Sequence, residues 1–218
     1  MKDSQIDQAI KILKREVKQW KIPSVGVVAQ ETRDPFQVLV SCILSLRTQD
    51  GTTAAASSRL FALGNTPAQL ARLSVGKIEG LIYPVGFYRV KARNIVEISR
   101  RLIDGYDSRV PDDIDELLKL PGVGRKTANL VMILGYDKYG ICVDTHVHRI
   151  TNRWGYVTTA TPDKTEFALR EKLPRKHWKV INDLLVTYGQ NLCRPIRPRC
   201  SICKLYGYCD RREVEKSS

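Results

Sequence analysis

The residues of this sequence best suited to chemistry are a lysine, Lys126, and an aspartate, Asp144. Lys126 follows directly on the glycine-rich stretch LPGVGR (120–125), and Asp144 lies in the segment VDTHVHR (143–149). An uncharged lysine amine is a nucleophile, and a carboxylate near it can activate the amine or stabilise positive charge on the substrate. The two residue types therefore predict covalent catalysis by an amine. Simpler roles exist for both, since Lys126 could contact phosphate and Asp144 could cap a helix.

The stretch before Lys126 has the composition of a phosphate-binding turn. Gly122 and Gly124 flank the small apolar Val123, so the backbone N–H groups there have no large side chains over them. Such a turn at the N-terminus of a helix binds phosphate oxygens, and Arg125 adds positive charge at the same place. An ordinary helix–helix corner is the alternative, but the RKTAN after the turn and the nearby VDTH favour phosphate binding.

Four cysteines near the C-terminus have the spacing of ligands to a metal centre. They form the pattern C-x6-C-x2-C-x5-C, made of Cys193, Cys200, Cys203 and Cys209. The spacing favours an iron–sulfur cluster over zinc, because zinc sites usually pair two C-x2-C knuckles and this segment has one. Disulfide pairing is the third interpretation. We expect a structural cluster that folds the C-terminal loop.

The charge balance indicates a polyanionic partner. Lysine and arginine number 36 against 23 aspartates and glutamates, which gives a formal net charge of +13. Nucleic acid is the first candidate and an anionic membrane surface the second, while a solvated basic surface without a partner is the remaining possibility. No segment approaches the roughly 20 apolar residues of a membrane span, and the charged N-terminus is unlike a secretory signal. We therefore expect a cytoplasmic, nucleoid-associated protein with no membrane partner.

The elements that must position these residues are predicted to be helices. Apolar residues recur at helical spacing and no clear strand is found, so the predicted fold class is all-α. A first helix should begin at a capping box, Ser4–Asp7, and end at Pro23. The apolar run 36–44 should be helical, with a buried strand as the competing assignment. Pro111 should start the helix before the glycine turn, and Asp144 or Thr145 should cap a later helix that runs to about Trp154.

Two further loops carry side chains suited to DNA. Arg47 and Gln49 lie on a polar corner at 45–50, where plain solvent exposure is the simpler interpretation. Phe87 lies at the tip of a turn, GFY (86–88), that is followed by basic residues. An aromatic side chain beside positive charge suits a loop that stacks on a base or wedges into a duplex. Burial of Phe87 in the core is the equally weighted alternative.

The glycine-rich stretch LPGVGRKTAN, the segment VDTHVHR and the four-cysteine pattern together resemble the endonuclease III family of DNA glycosylases and abasic-site lyases. The resemblance extends over nearly the whole chain, from about Ile22 to Arg212. It implies two helical domains that flank a DNA-binding groove. One is a six-helix domain with the helix–hairpin–helix motif, over 29–138. The other combines 1–28 with 139–218 and carries a [4Fe–4S] cluster.

The resemblance also implies a role for individual residues. Lys126 and Asp144 correspond to the catalytic pair, and the four late cysteines correspond to the cluster ligands. The loop with Arg47 would enter the gap left by a flipped base and the loop with Phe87 would act as a wedge, where the family often has Gln and Leu instead. The residues expected to contact DNA are Arg47, Gln49, Phe87, Gly122, Val123, Gly124, Arg125 and His146.

The implied function is a bifunctional DNA glycosylase and abasic-site lyase of base excision repair. It would act as a monomer on double-stranded DNA containing damaged bases or abasic sites, remove oxidised pyrimidines, and cleave the strand by β-elimination. A monofunctional glycosylase for mismatched or alkylated bases is the nearest alternative, although mismatch-specific relatives typically carry Tyr or Ser in place of Lys126. A non-enzymatic DNA-binding protein whose cluster senses redox state is an alternative of a different class.

Overall fold

The computed structural model describes residues 1–20 and 24–218. The expected start of the family resemblance near Ile22 lies outside these residues. The expected end of the first helix at Pro23 is wrong, because that helix ends at Glu16, a 3-10 turn over 17–19 follows, and the backbone of Trp20 is already extended. Within the described ranges the secondary structure is helical and contains no strand, which confirms the all-α prediction. The α-helices of these ranges are α1 Ile6–Glu16, α2 Ser24–Thr32, α3 Pro35–Ser45, α4 Asp50–Leu63, α5 Pro67–Arg72, α6 Val75–Ile82, α7 Tyr88–Gly105, α8 Ile114–Leu118, α9 Arg125–Tyr136, α10 Thr145–Arg153, α11 Pro162–Lys172 and α12 Trp178–Asn191.

The chain is divided into two compact units. We call the unit made of 24–138 the central domain, and the unit that joins 1–20 to 139–218 the terminal domain. The central domain contains α2 to α9, and the terminal domain contains α1 and α10 to α12. No helix of the described residues is long and apolar enough to cross a lipid bilayer.

The centre of the central domain is α3, which packs against α2, α4, α7 and α9. Every residue of the run 38–44 is buried, and the competing assignment of this run to a strand is wrong. The sequence forms a helix here because Asp34 accepts a hydrogen bond from the Phe36 amide at 2.8 Å and Pro35 occupies the first turn. Helix α3 thereby supplies the apolar surface on which the helix of Lys126 is seated.

Two predicted helix starts differ from the structure. The helix before the glycine turn begins at Ile114 and not at Pro111, because the Asp113 carboxylate accepts from the amides of Asp115 and Glu116 and so caps the helix three residues later. The Ser4–Asp7 capping box is absent. A short 3-10 turn over 3–5 leads into α1 instead, and the first residue of that α-helix is Ile6.

The core of the terminal domain is formed by apolar faces of α1, α10 and α12. Ile6, Ile10 and Leu13 of α1 are buried, as their helical spacing predicts. They pack with Ile150 of α10 and Leu185 of α12 in one cluster. The core therefore fixes α10, the helix that presents Asp144 at its N-terminus.

The terminal domain contains a half-buried carboxyl group that the sequence analysis does not predict. Asp183 lies on α12, is half-buried, and has no hydrogen bond or ion pair within the described residues. Burial raises the pKa of Asp183 to about 6. Its pKa in the unfolded chain is lower, so stability falls as the pH rises from about 4 through 6 and stays reduced above that.

We expect Asp183→Asn to stabilise the protein at pH 8 by about 1 to 2 kcal/mol, since the neutral amide avoids desolvation of a charge. Thermal denaturation should show a rise in Tm of about 3 to 6 °C. The gain should shrink by about half at pH 5, because the native carboxyl is then largely protonated. The exposed Asp163 offers the control, and Asp163→Asn should change Tm little at either pH. An Asp183→Asn gain that is the same at both pH values would contradict the role of charge.

Candidate functional site

The glycine turn between α8 and α9 contains one glycine with a positive φ and one with free space around its Cα. Gly122 has a φ of +76°, and a Cβ placed on it would collide with the Asn94 side-chain nitrogen. Gly124 has a φ of −101°, and a Cβ there would meet no atom within 4 Å. Gly122 is thus required by the backbone conformation, whereas the open surface at Gly124 is available to a ligand.

The turn exposes backbone amides at the N-terminus of α9. The Val123 amide donates to the Leu120 carbonyl at 3.2 Å and the Val123 side chain is buried, so this residue holds the turn together. The amides of Gly122 and Gly124 have no acceptor within the described residues. Two free N–H groups at the positive end of a helix form a site for an anion such as phosphate. The predicted contact of Val123 with DNA stays a prediction.

The two glycines provide a matched test of this turn. We expect Gly122→Ala to cost about 2 kcal/mol or more, seen as a Tm lower by about 4 °C or more, because alanine disfavours the positive φ and collides with Asn94. Gly124→Ala should leave Tm nearly unchanged and still lower the affinity for an abasic-site duplex by about fivefold or more, because its methyl group covers the free amides. Fluorescence anisotropy measures that affinity. Full affinity in Gly124→Ala would show that the turn does not grip phosphate.

Lys126 is the second residue of α9 and is half-buried. Its amine makes no hydrogen bond or ion pair within the described residues. The charge of Lys126 acts on the Cys42 thiol of α3, whose pKa is raised to about 12 by burial while the Lys126 charge acts in the opposite direction. The thiol is therefore protonated and leaves the lysine amine without a counterion. Within the described residues Lys126 is therefore not part of a structural ion pair, and its predicted role as a nucleophile stays a prediction.

Asp144 combines a helix cap with a free carboxylate oxygen. Its Oδ1 accepts from the His146 and Val147 amides, each at 2.9 Å, and thereby starts α10 as predicted. The second oxygen, Oδ2, has no hydrogen-bond partner within the described residues. The cap fixes the carboxylate in one orientation while one oxygen stays available to a substrate. Lys126 belongs to the central domain and Asp144 to the terminal domain.

His146, a predicted DNA contact, is packed within the terminal domain. Its Nδ1 lies 3.1 Å from an Nη2 atom of Arg149, and a Cβ on Gly189 of α12 would lie 2.5 Å from the same Nδ1. Gly189 is therefore needed for the close approach of the imidazole to α12. The side chain of His146 is half-buried, and its predicted contact with DNA stays a prediction.

The structure brings Arg47 and Phe87 together. Both are exposed, and the Arg47 guanidinium carbon lies 5.6 Å from the centroid of the Phe87 ring. The Phe87 side chain is 61% exposed, so the alternative that it belongs to the core is wrong. Gln49 is also exposed and occupies the N-cap position of α4. A stacked arginine and aromatic ring on the surface suits contact with bases.

The four late cysteines line one cavity in the terminal domain. The cavity has about 390 Å³ of space, part of it open to solvent, and its lining includes Cys193, Cys200, Cys203 and Cys209. All four are free thiols, so the disulfide interpretation is wrong for this structure. Among the described residues, no group of three or more His, Cys, Asp or Glu side chains is placed to hold a single metal ion.

The surroundings of these thiols fit a cluster of thiolates. The Cys203 sulfur lies 3.1 Å from the Tyr188 hydroxyl, and the Cys209 sulfur accepts from the Arg211 amide at 3.4 Å. Hydrogen bonds to sulfur are typical of iron–sulfur sites, where they stabilise the anionic ligands. The four sulfurs line a single cavity, and those of Cys203 and Cys209 have hydrogen-bond partners. This set of ligand atoms fits a [4Fe–4S] group.

Arg153, the last residue of α10, holds the cysteine loop in place and was missed by sequence reasoning. It is buried, and its guanidinium donates at 2.7 Å to each of the carbonyls of Arg194 and Pro195 and lies 3.6 Å from the Cys193 sulfur. Its own carbonyl accepts from the Arg212 amide at 3.1 Å. Arg153 follows VDTHVHR by one helical turn, and its sequence position gives no sign that it organises a distant loop.

The chain is similar to known proteins of base excision DNA repair. The family model described as HhH-GPD superfamily base excision DNA repair protein matches residues 40–175. The endonuclease III of Thermotoga maritima is 50% identical over 177 residues, which are 81% of this chain and 83% of that relative. A non-covalent endonuclease III–DNA complex superposes with a TM-score of 0.86 and 32% identity, covering 97% of this chain and 96% of that chain. A trapped endonuclease III–DNA covalent intermediate, an estranged-adenine complex, gives a TM-score of 0.86 and 31% identity over 97% of both chains.

Proposed function

The chain belongs to the endonuclease III family within the HhH-GPD superfamily of base excision DNA repair proteins, and from this premise we propose which residues carry out its chemistry. It is a DNA glycosylase and abasic-site lyase. The observation that carries the assignment of roles is the half-buried Lys126 amine directly after the glycine turn. Among residues 1–20 and 24–218, neither this amine nor the amides of Gly122 and Gly124 have a hydrogen-bond partner. The proposed nucleophile, Lys126, thus lies directly beside the proposed phosphate-binding turn in the central domain.

The first step is attack by the amine. The neutral Lys126 nitrogen forms a bond to the sugar C1′ of a nucleotide turned out of the stack, because the atom is not reachable inside a duplex. The C1′–N bond to the damaged base breaks and its electron pair leaves with the base, which takes up the proton released by the lysine. The free Oδ2 of Asp144 stabilises the positive charge on the sugar while the base departs.

The second step cleaves the strand. The C1′–O4′ bond of the lysine-bound sugar breaks, O4′ takes up a proton from water, and the nitrogen lone pair forms the C=N bond of an iminium ion, the Schiff base. This ion acidifies the proton on C2′. Loss of that proton lets the C3′–O bond break, and the 3′ phosphate leaves with the electron pair. Water then releases the sugar remnant and restores the amine. Each of these steps uses the same lysine nitrogen.

The proposed substrates are oxidised pyrimidines in double-stranded DNA, and the proposed state of the enzyme is a monomer. The solved structures to which the chain is similar contain DNA, which supports a duplex partner. A panel of duplexes with one oxidised pyrimidine, one alkylated base, one mismatch or no lesion tests the choice. Release of the oxidised pyrimidine should exceed release from the other duplexes by about tenfold or more. Preferential release of a mismatched or alkylated base would favour the monofunctional alternative.

The proposed cofactor is a [4Fe–4S] cluster held by Cys193, Cys200, Cys203 and Cys209. When bound, the cluster would supply four strong bonds that fix the loop 193–209. The hydrogen-bonded sulfurs and the single cavity lined by all four thiols support this assignment.

We expect Cys203→Ser to lose the brown colour and the iron of the native protein, because a serine hydroxyl is a poor ligand for this cluster. DNA affinity should fall by about tenfold or more as the loop loses its fixed shape. Cys142→Ala provides the control, since Cys142 is buried in the same domain and does not line the cavity. Metal analysis and visible absorption decide the outcome. A colourless native protein that contains zinc would contradict the iron assignment.

A further inference from the structure

Two surface loops of the central domain are connected to each other through one buried amine. We call the residues 45–49 and 85–88 the paired loops. Lys91 lies on α7, one turn after Phe87, and only 5% of its surface is exposed. Its Nζ donates to the Leu44 carbonyl at 2.9 Å, to the Leu46 carbonyl, and to the Thr48 hydroxyl at 3.2 Å. All three N–H groups of the ammonium are satisfied by the end of α3 and the loop after it.

The Thr48 hydroxyl extends this connection to the second loop. It accepts from Lys91, accepts from the Gly86 amide at 3.2 Å, and donates to the Leu46 carbonyl at 3.1 Å. A hydroxyl has one donor and two acceptor positions, so its hydrogen-bonding capacity is fully used. One small side chain thus joins α7, the loop 45–49 and the turn 85–88.

The backbones of the paired loops also touch. A Cβ on Gly86 would lie 2.5 Å from the Arg47 carbonyl oxygen, so only glycine fits at this position. Arg47 and Phe87 both have left-handed backbone conformations, with φ of +51° and +58°. Such conformations are unfavourable for residues with side chains and persist where surrounding contacts impose them. The same contacts place the Arg47 guanidinium over the Phe87 ring.

Stability alone gives a weak reason for a lysine at position 91. Burial lowers the pKa of Lys91 to about 8, and its three partners are uncharged oxygens. Replacement of buried charges by apolar residues of similar volume is often neutral or stabilising, so the amine needs another explanation. What only the amine provides is the fixed geometry of two exposed side chains that lie on different loops.

We propose that Lys91 is a positioning residue that joins the paired loops into one preformed element, so that Arg47 and Phe87 enter the duplex together. The inference rests on the proposed function, because it assigns the paired loops to the opening of a damaged base pair. A preformed element inserts without an added ordering cost, whereas two independent loops must each be ordered on the DNA.

The first test uses the free protein and needs no DNA. Lys91→Met keeps the length of the side chain and removes all three donors. Arg100→Met is the control, because Arg100 is exposed on the same helix and loses the same charge. Amide hydrogen exchange should accelerate by about tenfold or more in both 45–49 and 85–88 of Lys91→Met, and stay unchanged in Arg100→Met. Faster exchange in 45–49 with native protection in 85–88 would overturn the coupling.

A second variant keeps the test decisive if Lys91→Met does not fold. Thr48→Val has the same shape and removes the hydroxyl, which leaves the Gly86 amide without its acceptor and Lys91 with two of three partners. Exchange should accelerate in both paired loops, by less than in Lys91→Met. Acceleration confined to residues around Thr48 would contradict the proposal in the same way.

The last experiment compares base release with covalent trapping on DNA. Base release from a lesion duplex requires unstacking of a base, whereas a preformed abasic site has no base to unstack. In Lys91→Met, base release should fall by about tenfold or more, while borohydride trapping on the abasic duplex should fall by less than about threefold. Equal losses on both duplexes would show general damage to the site and overturn the positioning role. A wild-type protein that releases no base would refute the proposed function, and the exchange measurements would still decide whether Lys91 couples the loops.

Discussion

Lys126→Ala is expected to lose base release and strand cleavage together, by at least about a thousandfold in rate, because one nitrogen serves both steps. The Lys126 amine has no hydrogen bond or ion pair in the part of the chain that the structure describes, so Tm should change by less than about 2 °C. Single-turnover assays on a lesion duplex and on an abasic duplex measure the two steps separately.

The matched control is Lys119→Ala. Lys119 lies just before the same glycine turn, its side chain is 62% exposed, and it pairs with Glu116 at 2.6 Å. It is a lysine of the same domain, and the proposed mechanism gives it no chemical role. Its removal should weaken DNA binding modestly and leave the chemical steps within about threefold of the wild type. If Lys126→Ala retained base release and lost only strand cleavage, the lysine would not be the nucleophile of the first step.

Asp144→Asn is expected to reduce base release by about a hundredfold to a thousandfold while leaving α10 intact. The asparagine oxygen can still accept from the His146 and Val147 amides, and only the charge of the group is lost. Asp144→Ala should lose the same activity and, in addition, about 1 kcal/mol of stability as the cap disappears. The difference between the two variants separates the cap from the chemistry.

Asp113 supplies the control for the cap. Its Oδ1 accepts from the amides of Asp115 and Glu116 at 2.9 and 3.1 Å, which repeats the geometry of Asp144 at a different helix. Asp113→Ala should lower stability by a similar amount and leave base release unchanged. Full activity in Asp144→Asn would refute a role for the carboxylate charge.

The helices with strong local signals were predictable from sequence. Asp34-Pro35 sets the start of α3 and Thr161-Pro162 sets that of α11, because a capping side chain and a proline act within one turn. The predicted helix start at Pro111 was wrong because of another local capping signal. Asp113 is a second capping residue nearby, and its two amide bonds decide the start of α8.

The parts that sequence did not reveal depend on contacts between distant segments. Lys91 and Arg153 look like ordinary basic residues of helices, and their burial arises from the carbonyls of loops more than 40 residues away. Asp183 has no local pattern that distinguishes it from an exposed acid. Motif spacing identified the residues proposed to do chemistry, whereas those that hold loops in place require the packed structure.

Borohydride reduction during reaction with a lesion duplex tests the central claim most directly. The reductant converts the iminium ion into a stable amine, so the protein becomes covalently attached to DNA. We predict an adduct for the wild type and for Lys119→Ala, none for Lys126→Ala, and a peptide map of the wild-type adduct that places the modification on Lys126. An adduct of undiminished yield in Lys126→Ala, or a modification at another residue, would contradict the account.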